Sequence, residues 1–352
     1  MKILFVSYPM LAVSDASCGG AEQMLWTLER EMARRGHETA VAGCEGSRVS
    51  GELITTGVAP TAADAFELRA AEHCTAVVEA ANAAGFDFVH DKSGFFWRHA
   101  GALKVPVLAT LHLPRTFYDE SLFRQIPENL YFNCVSDSQA ASFRGLEQMI
   151  GVVPNGIAVE RFRLEPKKGD YVLWLGRICP EKAPHLAIDA AERAGVRLVM
   201  AGQAYPFSWH QLYFEQEIRP RLERLGDHVT WIEAPSFEEK VQLLSRARAL
   251  LLPTLAPETS SVVAMEAVAS GTPVIAFPNG AVPEIVEDGV TGILVADVAG
   301  MARPIGDANR ISPEIARRVA EARFSSKAMA DGYERLYRAI ASEADKVKGF
   351  VA

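Results

Sequence analysis

The segment Pro257-Glu-Thr-Ser-Ser-Val-Val-Ala-Met-Glu-Ala-Val-Ala-Ser-Gly271 lies between two short apolar runs, at 249–253 and 273–277. Both runs have the length and composition of buried strands. Gly271, with the Thr-Pro that follows it, is a typical helix stop. The segment is therefore predicted to form the helix between two strands. Because such a connection joins parallel strands, it indicates an α/β fold.

Two carboxylates and three hydroxyl groups give this segment its chemical character. Glu258 precedes Thr259, Ser260 and Ser261, which are natural N-cap residues, and Glu266 lies inside the predicted helix. The exposed N–H groups at a helix start attract anions. If both glutamates were helical, their backbones would be about 12 Å apart, longer than the roughly 5 to 9.5 Å of a glycosidase acid–base pair. They suit two ends of one long polar ligand, although two solvated surface acids would give the same pattern.

Outward from this segment, the same alternation of strands and helices fills both halves of the chain. Further strands of the second half are predicted at 171–175, 197–201, 229–232 and 292–295. The turn Pro154-Asn155-Gly156 and the polar stretch 165–170 indicate a boundary. We expect an α/β protein with two doubly wound parallel-sheet, Rossmann-like domains facing a cleft. These are residues 1–153 and residues 154–325, with a C-terminal helix, 326–352, packing back across the domains.

Composition narrows the class of protein. The chain has 352 residues, 49% of them hydrophobic and 23% charged, and a formal net charge of -8. That balance argues against nucleic-acid binding, which usually requires a basic face. Five scattered cysteines without a C-x-x-C pair favour a reduced, cytoplasmic protein. No run of eighteen apolar residues occurs, so no transmembrane segment is expected.

Candidate ligand-binding residues follow several predicted strands. Gly19-Gly20 follows the first strand, so its backbone N–H groups could approach a phosphate, although most such pairs are turns. Arg177 and Lys182 follow the strand at 171–175 and suit a diphosphate, although two solvated cations would look the same. His112 ends a strand beginning at residue 105 and could hydrogen-bond a ligand, although a lone histidine is more often structural.

Three absences bear on metal chemistry. The sequence has no D-x-D pair, no H-E-x-x-H and no cysteine cluster. P-loop and G-x-S-x-G motifs are also missing. We therefore expect no catalytic metal and no bound cofactor.

Together these motifs resemble the retaining glycosyltransferases of family 4, which have the GT-B fold. The resemblance covers most of the chain, in order, and its five motifs are Gly19-Gly20-Ala-Glu with Arg35-Gly-His-Glu-Thr39, Val152-Val-Pro-Asn-Gly-Ile157, Gly176-Arg-x-x-Pro-Glu-Lys182, Glu258-x7-Glu266 with Ala267-x-Ala-x-Gly-Thr-Pro-Val-Ile275, and Pro283-Glu-Ile-Val-x-Asp-Gly-x-Thr-Gly292.

The resemblance implies a nucleotide-diphosphate sugar, UDP- or GDP-linked, held mainly by the second domain. Arg177 and Lys182 would hold the diphosphate, Glu266 the ribose hydroxyls and Glu258 the sugar hydroxyls. The helix start, formed by Thr259, Ser260 and Ser261, would face the sugar or phosphate.

From the first domain, Gly19 and Gly20 would approach the phosphates and His112 would contact the sugar. The implied catalytic residues are His112, Arg177, Lys182 and Glu258. The acceptor is expected near Arg115 to Arg124 and the loop after Gly20. It could be a small molecule, a glycan or a lipid-linked hydroxyl.

Two departures from the family pattern concern the sugar end of the donor. Thr259-Ser260-Ser261 follows Glu258 where most members have x-Phe-Gly, and Ala183 follows Lys182 where most have glycine. We expect a metal-independent retaining transferase. A sugar-nucleotide epimerase or phosphorylase on the same fold, and a non-catalytic nucleotide-sugar-binding protein, are the alternatives.

Overall fold

A computed structural model describes residues 1–15, 20–59 and 66–351, and the side chains of these residues up to 342. The chain divides into two compact units. Unit 1 comprises Met1–Gly156 and Ser326–Ala352, and unit 2 comprises Ile157–Ser325. The divide predicted from the sequence lies between residues 153 and 154, at the beginning of the Pro154–Gly156 turn.

Unit 1 is built on a seven-stranded sheet whose neighbouring strands all pair in parallel. Its strand order is β3-β2-β1-β4-β5-β6-β7. The strands are β1 (Lys2–Val6), β2 (Glu38–Gly43), β3 (Glu52–Thr55), β4 (Phe88–Asp91), β5 (Val107–Thr110), β6 (Leu130–Cys134) and β7 (Met149–Val152). The helices are α1 (Gly20–Arg34), α2 (Phe66–Ala83), α3 (Asp137–Ser142) and α12 (Ser326–Val351), with short 3-10 helices at Phe96–Ala102, Arg115–Phe117 and Glu120–Phe123.

Three elements of unit 1 differ from what the sequence pattern predicts. Strand β3 was not predicted, because this edge strand is short and none of its residues is fully buried. The sequence over 138–148 also predicts a helix, but the observed helix ends at Ser142, since Gly145 adopts a φ of +89°, outside the helical region. A further helix is predicted to begin at about Gly94, where the structure has the 3-10 helix Phe96–Ala102.

Helix α12 completes the core of unit 1 and supplies part of a buried polar network. His90, at the end of β4, contacts the Tyr337 hydroxyl at 2.7 Å and Thr110 Oγ1 at 2.8 Å. The Lys92 ammonium donates to the Tyr333 hydroxyl at 3.1 Å and lies 4.8 Å from that ring's centre. All five side chains are at most 1% exposed. The network therefore supplies the hydrogen bonds that water would otherwise make to the polar side chains buried at β4 and β5.

Unit 2 contains a six-stranded parallel sheet of order β10-β9-β8-β11-β12-β13. Its strands are β8 (Tyr171–Leu175), β9 (Arg197–Ala201), β10 (Val229–Ile232), β11 (Leu250–Leu252), β12 (Val274–Ala276) and β13 (Gly292–Leu294). Its helices are α4 (Pro184–Ala194), α5 (Ser208–Tyr213), α6 (Arg219–Leu225), α7 (Phe237–Arg246), α8 (Val262–Ala269), α9 (Val282–Ile285), α10 (Val298–Ala302) and α11 (Pro313–Arg323).

The strand order reverses in both sheets, between β1 and β4 in unit 1 and between β8 and β11 in unit 2. The predicted α/β class, with two doubly wound Rossmann-like sheets, is therefore confirmed. Ligands of such sheets bind beyond the carboxyl ends of the strands at this reversal. Across the described residues, no helix combines the length and apolar character needed to cross a bilayer.

Stability should fall in mild acid because of a buried histidine in α2. His73 is fully buried, and its Nδ1 lies 2.8 Å from Thr56 Oγ1. Burial, aided by the charge of Arg69, lowers the pKa of His73 from 6.5 to about 4. Between about pH 6.5 and about pH 4, the unfolded chain therefore takes up a proton at His73 that the folded chain does not. The contribution of neutral, buried His73 to folding stability is present above about pH 6.5 and is lost as the pH falls toward about 4.

The measurement is urea unfolding of the wild type and His73→Gln at about pH 7.5 and about pH 5.5. The stability advantage of the wild type should shrink by about 1.4 kcal/mol over that interval. An advantage that is equal at both pH values would contradict the assignment.

Candidate functional site

Three loops of unit 2 meet at the carboxyl edge of its sheet. They follow β8, β11 and β12, the strands on either side of the reversal in strand order. Hydrogen bonds to backbone carbonyls join the loops: Thr254 Oγ1 and Leu255 N both donate to the Glu181 carbonyl, at 3.1 and 2.8 Å. Asn279 Nδ2 donates to the Thr254 carbonyl at 2.6 Å. The charged side chains on these loops are thereby held on one connected support.

Lys182 and Glu258 form an ion pair across two of these loops. Lys182 Nζ lies 2.5 Å from Glu258 Oε1, with 31% of the lysine and 9% of the glutamate side chain exposed. The structure thus brings together two residues that the sequence separates by 76 positions. A partly open ammonium beside a sheltered carboxylate can bind phosphate oxygen and sugar hydroxyl at adjacent points.

The turn that carries Lys182 ends in an unusual backbone conformation. Ala183 has φ 48° and ψ 50°, and among the described residues it is the one non-glycine with positive φ. This left-handed conformation costs an alanine about 1 to 2 kcal/mol and a glycine very little. Such a turn favours glycine, which is the usual residue at this place in the family that the sequence resembles, whereas this chain has alanine there.

Arg177 provides a second, more exposed cation. Its Nη2 lies 3.2 Å from Glu181 Oε1, its guanidinium is 5.7 Å from the centre of the Tyr205 ring, and 40% of its side chain is exposed. Together with the Lys182–Glu258 pair, the site holds two cations and two carboxylates. An incoming diphosphate would therefore compete with carboxylates already bound to these cations.

Gly280 fixes the backbone position of Glu258, a role that sequence reasoning missed. The two residues form an isolated parallel bridge, and Ala281 N donates to the Glu258 carbonyl at 2.8 Å. Gly280 has a φ of +61°, and a Cβ there would lie 2.3 Å from the Glu258 carbonyl oxygen. The Asn-Gly dipeptide at 279–280 is a turn signal that could have drawn attention to it.

Gly280→Ala should therefore impair the site while leaving the sheet intact. Because the added methyl must push the Glu258 backbone away, we expect donor affinity or turnover to fall by about tenfold or more. The matched control is Gly289→Ala, since Gly289 also has positive φ but an added Cβ there meets no atom within 4 Å. Equal activity losses in both variants would show that backbone strain alone, and not displacement of Glu258, is responsible.

Glu266 has a partner that the sequence did not reveal. Its Oε1 lies 2.5 Å from Lys240 Nζ, a residue of α7, with 5% and 13% of the two side chains exposed. The ammonium also lies 5.1 Å from the centre of the Phe237 ring. Lys240 lies among the charged residues of α7, and nothing in its local sequence marks it as the partner of Glu266. The second carboxylate oxygen of Glu266 is the one that a ribose hydroxyl could contact.

The hydroxyl residues lie at the start of α8, as the sequence predicted. Ser261 is the N-cap residue, but its side chain makes no capping hydrogen bond, so the capping part of that prediction was wrong. Ser260 Oγ is buried without a hydrogen-bond partner, and Thr259 belongs to the same loop. Glu258 precedes the helix, so the 12 Å separation expected for two helical glutamates does not apply. Ser260 is therefore the hydroxyl best able to accept a new polar contact.

Unit 1 carries the remaining predicted residues. Gly19 lies outside the described residues, and Gly20 is exposed at the first position of α1. His112 follows β5, and burial together with the charge of Lys92 lowers its pKa well below the usual value. Its ring is therefore neutral near pH 7 and suited to hydrogen bonding instead of ion pairing.

The predicted acceptor segment forms two short 3-10 helices. Arg115 is held by Glu120, with Nε 2.8 Å from Oε1, and its guanidinium lies 4.9 Å from the centre of the Phe123 ring. Arg124, at the other end of this segment, is exposed. Asp91, the last residue of β4, has a structural role, because its oxygens accept hydrogen bonds from Ser93 N and Trp97 N.

Family models match both units. Residues 18–161 match the model described as Glycosyltransferase Family 4, and residues 158–303 match the model described as Glycosyl transferases group 1. The second match contains Arg177, Lys182, Glu258 and Glu266. The two matches therefore cover the residues assembled above.

Curated relatives align with part of the chain. D-inositol 3-phosphate glycosyltransferase of Mycobacterium sp. (strain KMS) is 35% identical over 162 residues, 45% of this chain and 36% of that protein. Lipopolysaccharide 1,2-N-acetylglucosaminetransferase of Salmonella typhimurium is 25% identical over 178 residues, 46% of this chain and 47% of that protein. The chain thus spans less than half the length of these relatives.

Solved structures match the whole fold. Sucrose-phosphate synthase of Thermosynechococcus elongatus superposes with a TM-score of 0.80 at 20% identity, covering 97% of this chain and 99% of that one. AviGT4, a glycosyltransferase involved in avilamycin A biosynthesis, gives 0.76 at 23% identity, covering 97% and 98%. Anabaena HepE in complex with UDP-glucose gives 0.74 at 18%, covering 96% and 100%. Two glycosyltransferase family models, one of them described as Family 4, thus match successive parts of the chain, and the two sheets and these neighbours show that it has the GT-B fold.

Proposed function

We propose that the protein transfers a sugar from a nucleotide-diphosphate sugar, UDP- or GDP-linked, to an acceptor hydroxyl with retention of anomeric configuration. The observation that carries the proposal is the Lys182–Glu258 pair, 2.5 Å apart, beside Arg177 at the reversal of the second sheet. The cations suit the diphosphate and Glu258 suits the sugar hydroxyls. A neighbouring fold that binds UDP-glucose, Anabaena HepE, supports this class of donor.

The proposed reaction uses the charges as follows. The bond between the anomeric carbon and the diphosphate oxygen breaks, and the acceptor oxygen bonds to the same face of that carbon. The acceptor proton passes to the departing diphosphate. Negative charge grows on the diphosphate as the bond breaks, so preorganised cations at Arg177 and Lys182 stabilise the transition state more than the ground state.

Further residues of unit 2 complete the proposed donor contacts there. Glu266 would accept a hydrogen bond from a ribose hydroxyl while Lys240 holds its other oxygen, and Ser260 would offer its buried hydroxyl at the α8 start. In unit 1, the role proposed for neutral His112 is hydrogen bonding to a sugar, and the role proposed for Gly19-Gly20 is approach to phosphate. The acceptor would lie near Arg115 to Arg124, and the transferase relatives suggest an inositol phosphate or a glycan as first acceptors to try.

We propose that transfer requires no metal, because two fixed cations already compensate the diphosphate. We further propose a cytoplasmic location. The four described cysteines are all free and buried, which is compatible with a reducing compartment.

A thermal-shift panel of uridine, guanosine and adenosine diphosphate sugars tests the donor. The matching donor should raise the melting temperature with the logarithm of its concentration. The same donor is then incubated with candidate acceptors, with and without EDTA, and the product's anomeric configuration is read by NMR. Absence of any shift together with absence of donor hydrolysis would contradict the proposed function, and loss of transfer in EDTA at saturating donor would contradict metal independence.

A further inference from the structure

A buried histidine near the loop that follows β8 and carries Arg177 and Lys182 has no hydrogen-bond partner on either ring nitrogen. His210, in α5, is fully buried, and both Nδ1 and Nε2 lack partners. Buried imidazoles normally donate or accept at least one hydrogen bond, so two orphaned nitrogens require an explanation. Its neighbours supply one. The Cys179 thiol, the Glu181 carboxylate and a ring nitrogen of His210 all lie within 4.8 Å of one another.

We propose that Cys179, Glu181 and His210 bind a zinc ion. Thiolate, imidazole and carboxylate are the ligand types that Zn²⁺ takes, and three protein ligands leave a fourth tetrahedral position open. With Zn–ligand bonds of about 2.0 to 2.3 Å, tetrahedral ligand atoms are about 3.6 Å apart, so the three groups need to approach by about 1 Å. Glu181, with 29% of its side chain exposed, has room to make that movement.

The surrounding contacts hold two of the three ligands in place without the ion. Cys179 immediately precedes the Pro180–Lys182 turn, and its thiol points to the Arg177 carbonyl at 3.4 Å. The ring of His210 packs against Trp209, with centroids 3.9 Å apart, and against Phe207 at 5.3 Å. A site whose ligands are already positioned by packing loses little entropy on binding metal.

Zinc binding would also change the charges of the donor site. The Cys179 thiol loses its proton when it ligates zinc, so one Zn²⁺ enters and one H⁺ leaves, and the local charge rises by one. The ion would also draw the Glu181 carboxylate away from Arg177, now 3.2 Å from it. A nucleoside diphosphate should therefore bind more tightly with zinc present. This consequence rests on the proposed function, whereas the zinc site itself does not.

Equilibrium dialysis of the reduced, chelator-treated full chain against Zn²⁺ tests the site without donor or acceptor. Wild type should bind one zinc per chain, and Cys179→Ala, His210→Gln and Glu181→Gln should each weaken binding, the first two by about 100-fold or more. Co²⁺ used in place of zinc should give a thiolate charge-transfer band that Cys179→Ala abolishes. Cys134→Ala, which alters a buried cysteine on β6, and Cys18→Ala are the controls.

Absence of stoichiometric zinc binding by wild type would overturn the proposal. So would wild-type affinity in folded Cys179→Ala, or loss of binding in Cys18→Ala. If Cys179→Ala does not fold, zinc binding by Glu181→Gln, a change at a partly exposed residue, is the test, and wild-type affinity in that variant would overturn the proposal. Tighter UDP or GDP binding in zinc by wild type but not by Cys179→Ala would support the charge effect. An equal change of UDP or GDP affinity in both proteins would overturn the charge effect. The zinc site itself is tested separately, by the dialysis.

Discussion

Lys182→Ala is expected to lower kcat/KM for sugar transfer by about 100- to 1,000-fold, the usual cost of removing one preorganised group that stabilises transition-state charge. The lysine is the less exposed of the two loop cations, so its charge is less screened by solvent than that of Arg177. Removing it also leaves the Glu258 carboxylate, which is 9% exposed, without its cation beside the incoming diphosphate. The measurement is steady-state kinetics with the donor identified by thermal shift.

The ion pair creates a second explanation for such a loss, since Lys182 could act only by positioning Glu258. Binding of the nucleoside diphosphate without sugar separates the two explanations. A phosphate-binding lysine predicts weaker binding in Lys182→Ala and no recovery in Lys182→Ala/Glu258→Gln. Unchanged diphosphate affinity in the single variant would assign Lys182 to positioning instead. Arg197→Ala, which removes another exposed cation of unit 2 paired with Asp170, is the control and should bind normally.

The sheets were predictable because their strands are continuous apolar runs covered on both faces. Predicted and observed bounds coincide for Tyr171–Leu175, Arg197–Ala201 and Val229–Ile232. Strand β3, by contrast, pairs on one side only and buries little, so its short sequence carries no comparable signal. Edge position alone does not hide a strand, because β10 also lies at a sheet edge and was predicted; unlike β3, β10 contains a buried residue, Val229.

The sequence predicted several residues of the candidate site but not the residues with which they pair. Arg177, Lys182, Glu258 and Glu266 follow from strand ends and family motifs, whereas the partners Lys240 and Gly280 do not. An ion pair between α7 and α8 depends on how two helices pack, and no local pattern encodes that packing. The same limit applies to His210, whose isolation from polar partners is visible only once α5 lies against the Cys179 turn.

Tyr337→Ala is expected to destabilise unit 1 by about 3 to 5 kcal/mol, the range for removing a buried aromatic ring. The ring is fully buried, 4.9 Å from the centre of the Phe88 ring, and its hydroxyl is 2.7 Å from His90 Nδ1. Tyr337→Phe keeps the ring and removes only that hydrogen bond, so a loss of about 1 to 2 kcal/mol is expected. Arg335→Ala, on an exposed position of the same helix, is the control and should cost little.

Hydrogen exchange measured on peptides tests whether the destabilisation by Tyr337→Ala is confined to unit 1. In Tyr337→Ala, amides of β4 and β5 should exchange about 100-fold faster or more, since about 1.4 kcal/mol corresponds to tenfold. Amides of β8 and β9 in unit 2 should keep their wild-type rates, because the core cluster of those strands contains none of the described α12 side chains, which end at residue 342. Wild-type exchange throughout unit 1 would show that α12 is peripheral. The expected result would instead mean that the core of unit 1 depends on the segment that follows unit 2 in the chain, from Ser326 onward.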